Sequence, residues 1–330
     1  MTTSLIPAPA RADQALPPGL TAEDIDRIVA AVAAEHASST LAVYASAWRI
    51  FARWCAGRGM QALPADSATV CAYLTDRAHQ GKSYATLDLA CAAIRYEHLR
   101  TALPNPIADA TVGRVRRGLR RIIGVAPRRQ SRPLLGEDIC CIVEVIDAGT
   151  TTGVRDRALI LLGFASALRR PELAALTLAD LAFEPGGILV TVRRSKTDPD
   201  GRGQVIAAAA GAGRATDPVE AVRAWLQVRG TRPGALFTRV AADGTAGPEA
   251  LSGRTICRVV HDRARDAGVP ADRVSTHSLR AGHATTAAMA GVPLDRIAAQ
   301  TRHRDLATLV HHHIRPIEEM TNTSSRALGL

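Results

Sequence analysis

Between Gly124 and Pro133 the chain reads Gly-Val-Ala-Pro-Arg-Arg-Gln-Ser-Arg-Pro, and no other segment limits the possible folds as strongly. Proline removes an amide donor and pushes the preceding residue out of the helical region, so two prolines this close bar a packed helix or an interior strand. The stretch reads as an extended linker. The chain is therefore expected to form an arm over 1–20, a first body over 21–123, a linker over 124–133, a second body over 134–320 and a tail over 321–330. Its 330 residues and 47% hydrophobic content are enough for two ordinary cores.

The first body reads as helices only. Thr21–Glu35 opens on a cap signal in Thr21 with Asp24 three residues on. In Ser39–Arg58, Leu41, Tyr44, Trp48, Phe51 and Trp54 recur at steps of three and four, a core stripe. Ser67–Gln80 and Ser83–Leu103 each open with a serine suited to capping, and Val112–Ile123 closes the region. In the second body, Asp156–Leu168 is apolar nearly all round, as a buried helix would be. Ile188–Val192 and Gln204–Ile206, joined by turn residues Asp198–Gly203, predict a hairpin.

Charge narrows the function. Lys and Arg outnumber Asp and Glu by 41 to 31, a formal charge of +10 with a pI near 10.0, which favours a polyanionic partner. The six cysteines (Cys55, Cys71, Cys91, Cys140, Cys141, Cys257) lack chelating spacing and read as reduced core thiols. Neither a signal peptide nor a bilayer-spanning run is visible, so a cytoplasmic, nucleoid-associated location without membrane contact is expected.

Three segments carry chemistry. Arg169-Arg170-Pro171-Glu172-Leu173 places Arg169 at a corner before a helix that Pro171 can start, and a guanidinium held there needs an anion. Lys196 lies at the hairpin turn, where most lysines are simply solvated. In Ser275-Thr276-His277-Ser278-Leu279-Arg280, Ser275 or Thr276 caps a helix whose first turn carries His277 and Arg280 three apart. Free amides, an imidazole and a guanidinium at one helix start suit a phosphate. The bland alternatives are an Arg169–Glu172 ion pair and a histidine packed at a cap. Gly291, Pro293 and Thr301-Arg302-His303 then lead to a last helix containing Thr308, Leu309 and Ile314.

This order of parts resembles the tyrosine recombinase (phage integrase) family. The first arginine box is matched by Leu168–Leu173, the hairpin lysine by Lys196, the His-x-Leu-Arg box by His277–Arg280 and the later histidine by His303. The resemblance spans about residues 20 to 320 and implies a mainly α fold. A helical, SAM-like core-binding domain would precede an α+β catalytic domain with a small antiparallel sheet, the DNA breaking-rejoining fold. It further implies that Arg169 and Arg280 clamp a phosphodiester, Lys196 acts as general acid, His277 assists proton transfer, His303 hydrogen-bonds the phosphate and Glu172 orients them, with neither metal nor cofactor. Thr40, Tyr44, Lys82, Ser83 and Thr86 would face DNA. The basic tract of Arg114, Arg116, Arg117, Arg120 and Arg121, with Arg128, Arg129 and Arg132, would meet the duplex backbone. The implied partners are a double-stranded recombination site and a homo-tetramer on two such sites.

The family's nucleophilic tyrosine is absent. All four tyrosines (Tyr44, Tyr73, Tyr84, Tyr96) lie in the first half, and the expected position reads Val310-His311-His312-His313-Ile314-Arg315. The Ile-Arg that usually follows the tyrosine selects His313; counting from His303 selects His312. Three readings follow: a cleavage-impaired form with histidine for tyrosine, a working histidine nucleophile, or a non-cleaving accessory relative. Imidazole is shorter than phenol, which counts against the second. Metal binding by the triplet is disfavoured, because consecutive helical residues point about 100° apart. A type IB topoisomerase is a rival within the same chemistry.

Overall fold

The computed structural model describes residues 21–33, 35–126, 130–193, 195, 198, 201–312 and 314. The chain divides into two compact units, Met1–Arg128 and Arg129–Leu330.

The first unit contains α1 (Ala22–Ala33), α2 (Ser38–Ala56), α3 (Ser67–His79), α4 (Tyr84–Arg100) and α5 (Ala110–Ile123), with a 3-10 turn at Pro106–Ala108 and no strand among the described residues. Thr21 and Asp24 accept each other's amides at the start of α1. Ser83 caps α4, accepting from the Thr86 amide at 3.3 Å. Ser67 does not cap α3. It is the first helical residue, and Asp66 holds the extended backbone a cap requires (φ −85°, ψ 165°) and accepts from the Thr69 amide at 2.5 Å. The core gathers Phe51, Cys55, Val70, Tyr73, Leu74, Ile94 and Val112. Tyr73 meets Phe51 and Trp54 edge-on at 5.0 and 5.3 Å. Tyr44 leaves the expected stripe: half-buried, it packs against His36 and Tyr96.

The second unit begins with α6 (Gly136–Glu144), α7 (Thr151–Ala165) and α8 (Arg170–Ala175), followed by strands β1 (Leu181–Glu184), β2 (Gly187–Val192) and β3 (Gln204–Ala209). Next come α9 (Pro218–Arg229), β4 (Thr238–Val240), β5 (Ala246–Ala250), α10 (Gly253–Asp266), α11 (Thr276–Met289), α12 (Leu294–Thr301) and α13 (Leu306–His312). The first three strands form an antiparallel sheet in chain order, with Val190 opposite both Leu181 and Ile206. Alternation buries Ile188, Val190 and Val192 on one face.

Helix α7 is buried as expected but stops at Ala165, not Leu168. The Ser166 hydroxyl turns back to the Leu162 carbonyl at 2.5 Å and Ala167 adopts a positive φ of 48°, which breaks the helical ladder. On α11, Gly282 lets the Leu134 backbone pass where a Cβ would collide, and the Leu134 amide donates to Ser278 O at 3.0 Å. Ile314 lies beyond α13. Cys140 and Cys141 are exposed, not core thiols, because the buried side of α6 is taken by Ile139, Ile142 and Val143. Among the described residues no helix is long and apolar enough to cross a membrane.

Candidate active site

The site is built at the corner that follows α7. Arg169 precedes α8 in extended conformation, and Pro171 lies in the first turn. Glu172 folds back onto Arg169: its Oε2 accepts from the Arg169 amide at 2.7 Å and its Oε1 from Arg169 Nη1 at 2.9 Å. The ion pair that sequence offered as the bland alternative is thus present. It does not exhaust the arginine, whose Nη2 points to Arg302 O at 3.5 Å.

Ser275 caps α11, accepting from the His277 amide at 3.2 Å while its own amide donates to Ser278 Oγ at 3.0 Å. His277 is exposed at the rim of this start, and Arg280, 1% exposed, forms the floor. Arg280 donates through Nη1 to Ala167 O at 2.7 Å and through Nη2 to Thr301 O. Its Nε is buried with no partner among the described residues. Arg169 and Arg280 therefore converge on consecutive carbonyls, of Arg302 and Thr301. Burial, then the charges of Arg169 and Arg302, push the Arg280 guanidinium down to about 9, opposed by Glu172, and it stays cationic at neutral pH.

His303 completes the corner. Thr301 Oγ1 lies 2.6 Å from Ile297 O, to which only its hydroxyl can donate, so toward His303 Nδ1 at 2.7 Å the same oxygen accepts. The Nδ1 proton then leaves Nε2 as the acceptor facing Arg280 Nη2 at 3.4 Å. Burial, then Arg280, Arg169, Arg302 and His277, lower the imidazole to about 4, so it is neutral at pH 7.

Arg302 belongs to the site and sequence reasoning passed over it. It caps α12 in left-handed conformation, and its Nη2 lies 2.5 Å from Glu172 Oε2. A basic residue just past a helix reads as solvated; its one sequence signal is its place between Thr301 and His303. Lys196 and His313 lie outside the described residues. Their neighbours show only that Asp198 pins the hairpin turn, accepting from the amides of Arg202 and Gly203 at 3.1 and 2.9 Å. His312 ends α13, without a described side chain. Among the described residues no cluster of three or more His, Cys, Asp or Glu is placed to hold a metal.

In the first unit Lys82, Thr86, Arg114, Arg117, Arg120 and Arg121 are exposed and Thr40 is half-buried. Ser83 is committed to its cap, its hydroxyl 2.9 Å from that of Thr86. Arg116 is paired with Asp88 at 2.5 Å and, in the second unit, Arg132 with Asp138 at 3.0 Å. Arg128 and Arg129, the arm 1–20 and the tail 321–330 lie outside the described residues.

A helical unit ahead of an α+β unit, with arginines and histidines drawn to one helix-start corner, defines a protein of tyrosine recombinase fold. The family model described as Phage integrase family matches residues 134–316. A curated relative, an integrase/recombinase xerD homolog of Selenomonas ruminantium, is 32% identical over 281 residues, covering 84% of this chain and 82% of its own. The chain belongs to the phage integrase family. Solved structures at lower identity share the fold. A lambda integrase dimer bound to a COC' core site matches with TM-score 0.60 and 17% identity over 89% of this chain and 95% of its own. The Tn1549 transposon integrase in complex with transposon right end DNA matches with TM-score 0.58 and 16% identity over 93% and 98%.

Proposed function

We propose that this chain is a site-specific DNA recombinase that binds a double-stranded recombination site, acts as a homo-tetramer on two sites and exchanges strands through a covalent 3′-phosphoryl-protein link. The observation that carries the reading is the convergence of Arg169 and Arg280 on one Glu172-ordered corner, in a member of the phage integrase family. Two guanidiniums so placed can offset charge on a five-coordinate phosphorus. Arg280 is buried with both Nη groups given to the Ala167 and Thr301 carbonyls, so engaging a phosphate requires the Thr301–His303 corner to release an Nη donor. Lys196 is assigned protonation of the departing 5′ oxygen, His277 proton transfer at the rim, His303 a phosphate contact after release of Arg280, and His313, or His312, the nucleophile position. The exposed face of α5 and the loop before α4 are assigned to phosphate contact.

Histidine where the family has tyrosine makes this a cleavage-impaired form. A second reading, a non-cleaving accessory protein, is favoured by one fact: no tyrosine follows Tyr96. A duplex selected by the protein from a random pool, then nicked beside the cleavage position, tests both. The unchanged chain should yield little adduct, and His313→Tyr should yield an acid-stable one, with His312→Tyr as the positional control. An acid-labile adduct on the unchanged chain would mean that histidine itself attacks, since a phosphorus–nitrogen bond hydrolyses in acid. No adduct from either variant supports the accessory reading. Site-independent relaxation of supercoiled plasmid by a monomer would instead point to a type IB topoisomerase.

A further inference from the structure

At the corner between α8, α11 and α12 two guanidiniums, of Arg169 and Arg302, are bonded to a single carboxylate, Glu172, whose charge also reaches a third, that of Arg280. Arg302 is the costly member. Its backbone is left-handed (φ 56°, ψ 45°), a conformation that glycine takes freely and that strains a residue with a Cβ by about 1 kcal/mol or more. Its side chain is 3% exposed, so it is no solvated cation at a helix end. Nη2 is given to Glu172 Oε2 at 2.5 Å and Ala167 O at 3.5 Å, and Nη1 to Gln300 O at 3.3 Å. Nε is buried with no partner among the described residues. Strain and a buried charge both oppose folding, so stability alone does not account for an arginine here.

Charge counting does. Without Arg302, Arg169 and Glu172 cancel and one positive charge remains, on Arg280. With it, and with His303 neutral, the corner carries two. A phosphodiester has one negative charge, and more gathers on its oxygens as one bond to phosphorus forms before another has broken. We propose that Arg302 is a positioning residue of the phosphodiester site: it engages Glu172 Oε2, so that the carboxylate orders Arg169 without neutralising the two arginines that serve the phosphate. The inference rests on the recombinase reading above and adds to it a residue that acts through Glu172.

His303 is a gauge of this charge from within the site. Arg280 and His277 on α11, Arg169 before α8 and Arg302 beside it all act on its ring, and Glu172 lies among the arginines with opposite sign. The test is an NMR titration of the His303 imidazole in the full chain, with and without inorganic phosphate. Unchanged protein is compared with Arg302→Lys, Arg302→Met and the double variant Glu172→Gln/Arg302→Met, each checked for fold by near-UV circular dichroism. Arg302→Met should raise the His303 midpoint by about one pH unit and weaken phosphate binding about ten-fold, while Arg302→Lys retains both. The double variant should recover the low midpoint and the affinity, because two arginines with no carboxylate restore the net charge. A folded Arg302→Met with unmoved midpoint and affinity overturns the proposal. A double variant no better than the single does so too, since loss of packing would not be rescued by removing a carboxylate. If Arg302→Met fails to fold, the double variant decides alone, a low midpoint supporting the proposal and an ordinary one overturning it. No phosphate response in the unchanged chain would count against the phosphodiester reading, while the charge role is still read from the midpoints.

Discussion

His303 ties the acid stability of this chain to its site. Unfolded, the imidazole takes up a proton near pH 6.5; folded, burial and the neighbouring guanidiniums delay that to about 4. Between those values the unfolded chain binds the extra proton, so the contribution is whole above about pH 6.5 and is lost as pH falls toward 4. His283, lowered by burial and by Arg280, acts with the same sign. For His303, half-buried, the loss should be about 1–2 kcal/mol after solvent screening. Urea unfolding at pH 7 and pH 4.5 checks it: His303→Gln, which keeps a donor for Thr301 and an acceptor for Arg280, should lose less stability than the unchanged chain. Equal losses would mean that the imidazole is not held neutral by the fold. His303 was legible from its order after His277 and Arg280, whereas Arg302, adjacent to it, was not. Sequence lists residues in a row, but only the left-handed turn at 302 sends one side chain inward to Glu172 and leaves the next beside Arg280.

Among elements, legibility followed periodicity. Helix α5 carries Val112 and Leu119 inward and Arg114, Arg117 and Arg121 outward at steps of three and four, a pattern readable before any coordinates. Strands β4 and β5 were missed, since Thr-Arg-Val alternates over only three residues and Ala-Gly-Pro-Glu-Ala has no β-branched residue to mark a strand. Strand β1 was missed at four residues, and β3 ran on through alanines that give no period-two signal. The end of α7 was misplaced because a serine back-bond and a positive φ at an alanine have no sequence signature. The outward face of α5 is testable as a unit. Replacing Arg114, Arg117 and Arg121 by glutamine should leave thermal unfolding within about 0.5 kcal/mol of the unchanged chain. Each lost phosphate contact should flatten the slope of log affinity for duplex DNA against log salt by about 0.9. Arg116→Gln, which breaks the pair with Asp88, should instead alter stability with little change of slope. An unchanged slope in the triple variant would remove α5 from the interface.

At the scale of the molecule, beside a smaller cluster of Ala284, Ile297, Ala298 and Leu309 in the second unit, the main cores of the two units set the expected behaviour. One gathers Phe51, Tyr73, Leu74 and Ile94, the other Leu159, Leu162, Leu173, Trp225 and Leu279, with no residue in common. Each unit has its own buried apolar surface and should unfold cooperatively alone. The stretch whose prolines forbid a packed element also holds arginines that trypsin cuts after. Ser131 and Arg132 are bonded to the second unit, through Ser275 and the Arg273 carbonyl, so the sites expected to open first are Arg128 and Arg129, and limited proteolysis there should yield two folded fragments. The cut bears on function as well as on folding. If both units hold duplex DNA, joining them turns the second encounter into an intramolecular one at an effective concentration near the millimolar range, and the intact chain should bind about 10²- to 10⁴-fold tighter than either fragment. Mixing the fragments would not restore that gain, since no new contact is made and only the tether is missing. Fluorescence anisotropy on one duplex, with intact protein, each fragment and their mixture, measures it directly. A mixture as tight as the intact chain would show that the linker contributes nothing by tethering, and a single fragment that matches the intact chain would place all of the DNA affinity in one unit.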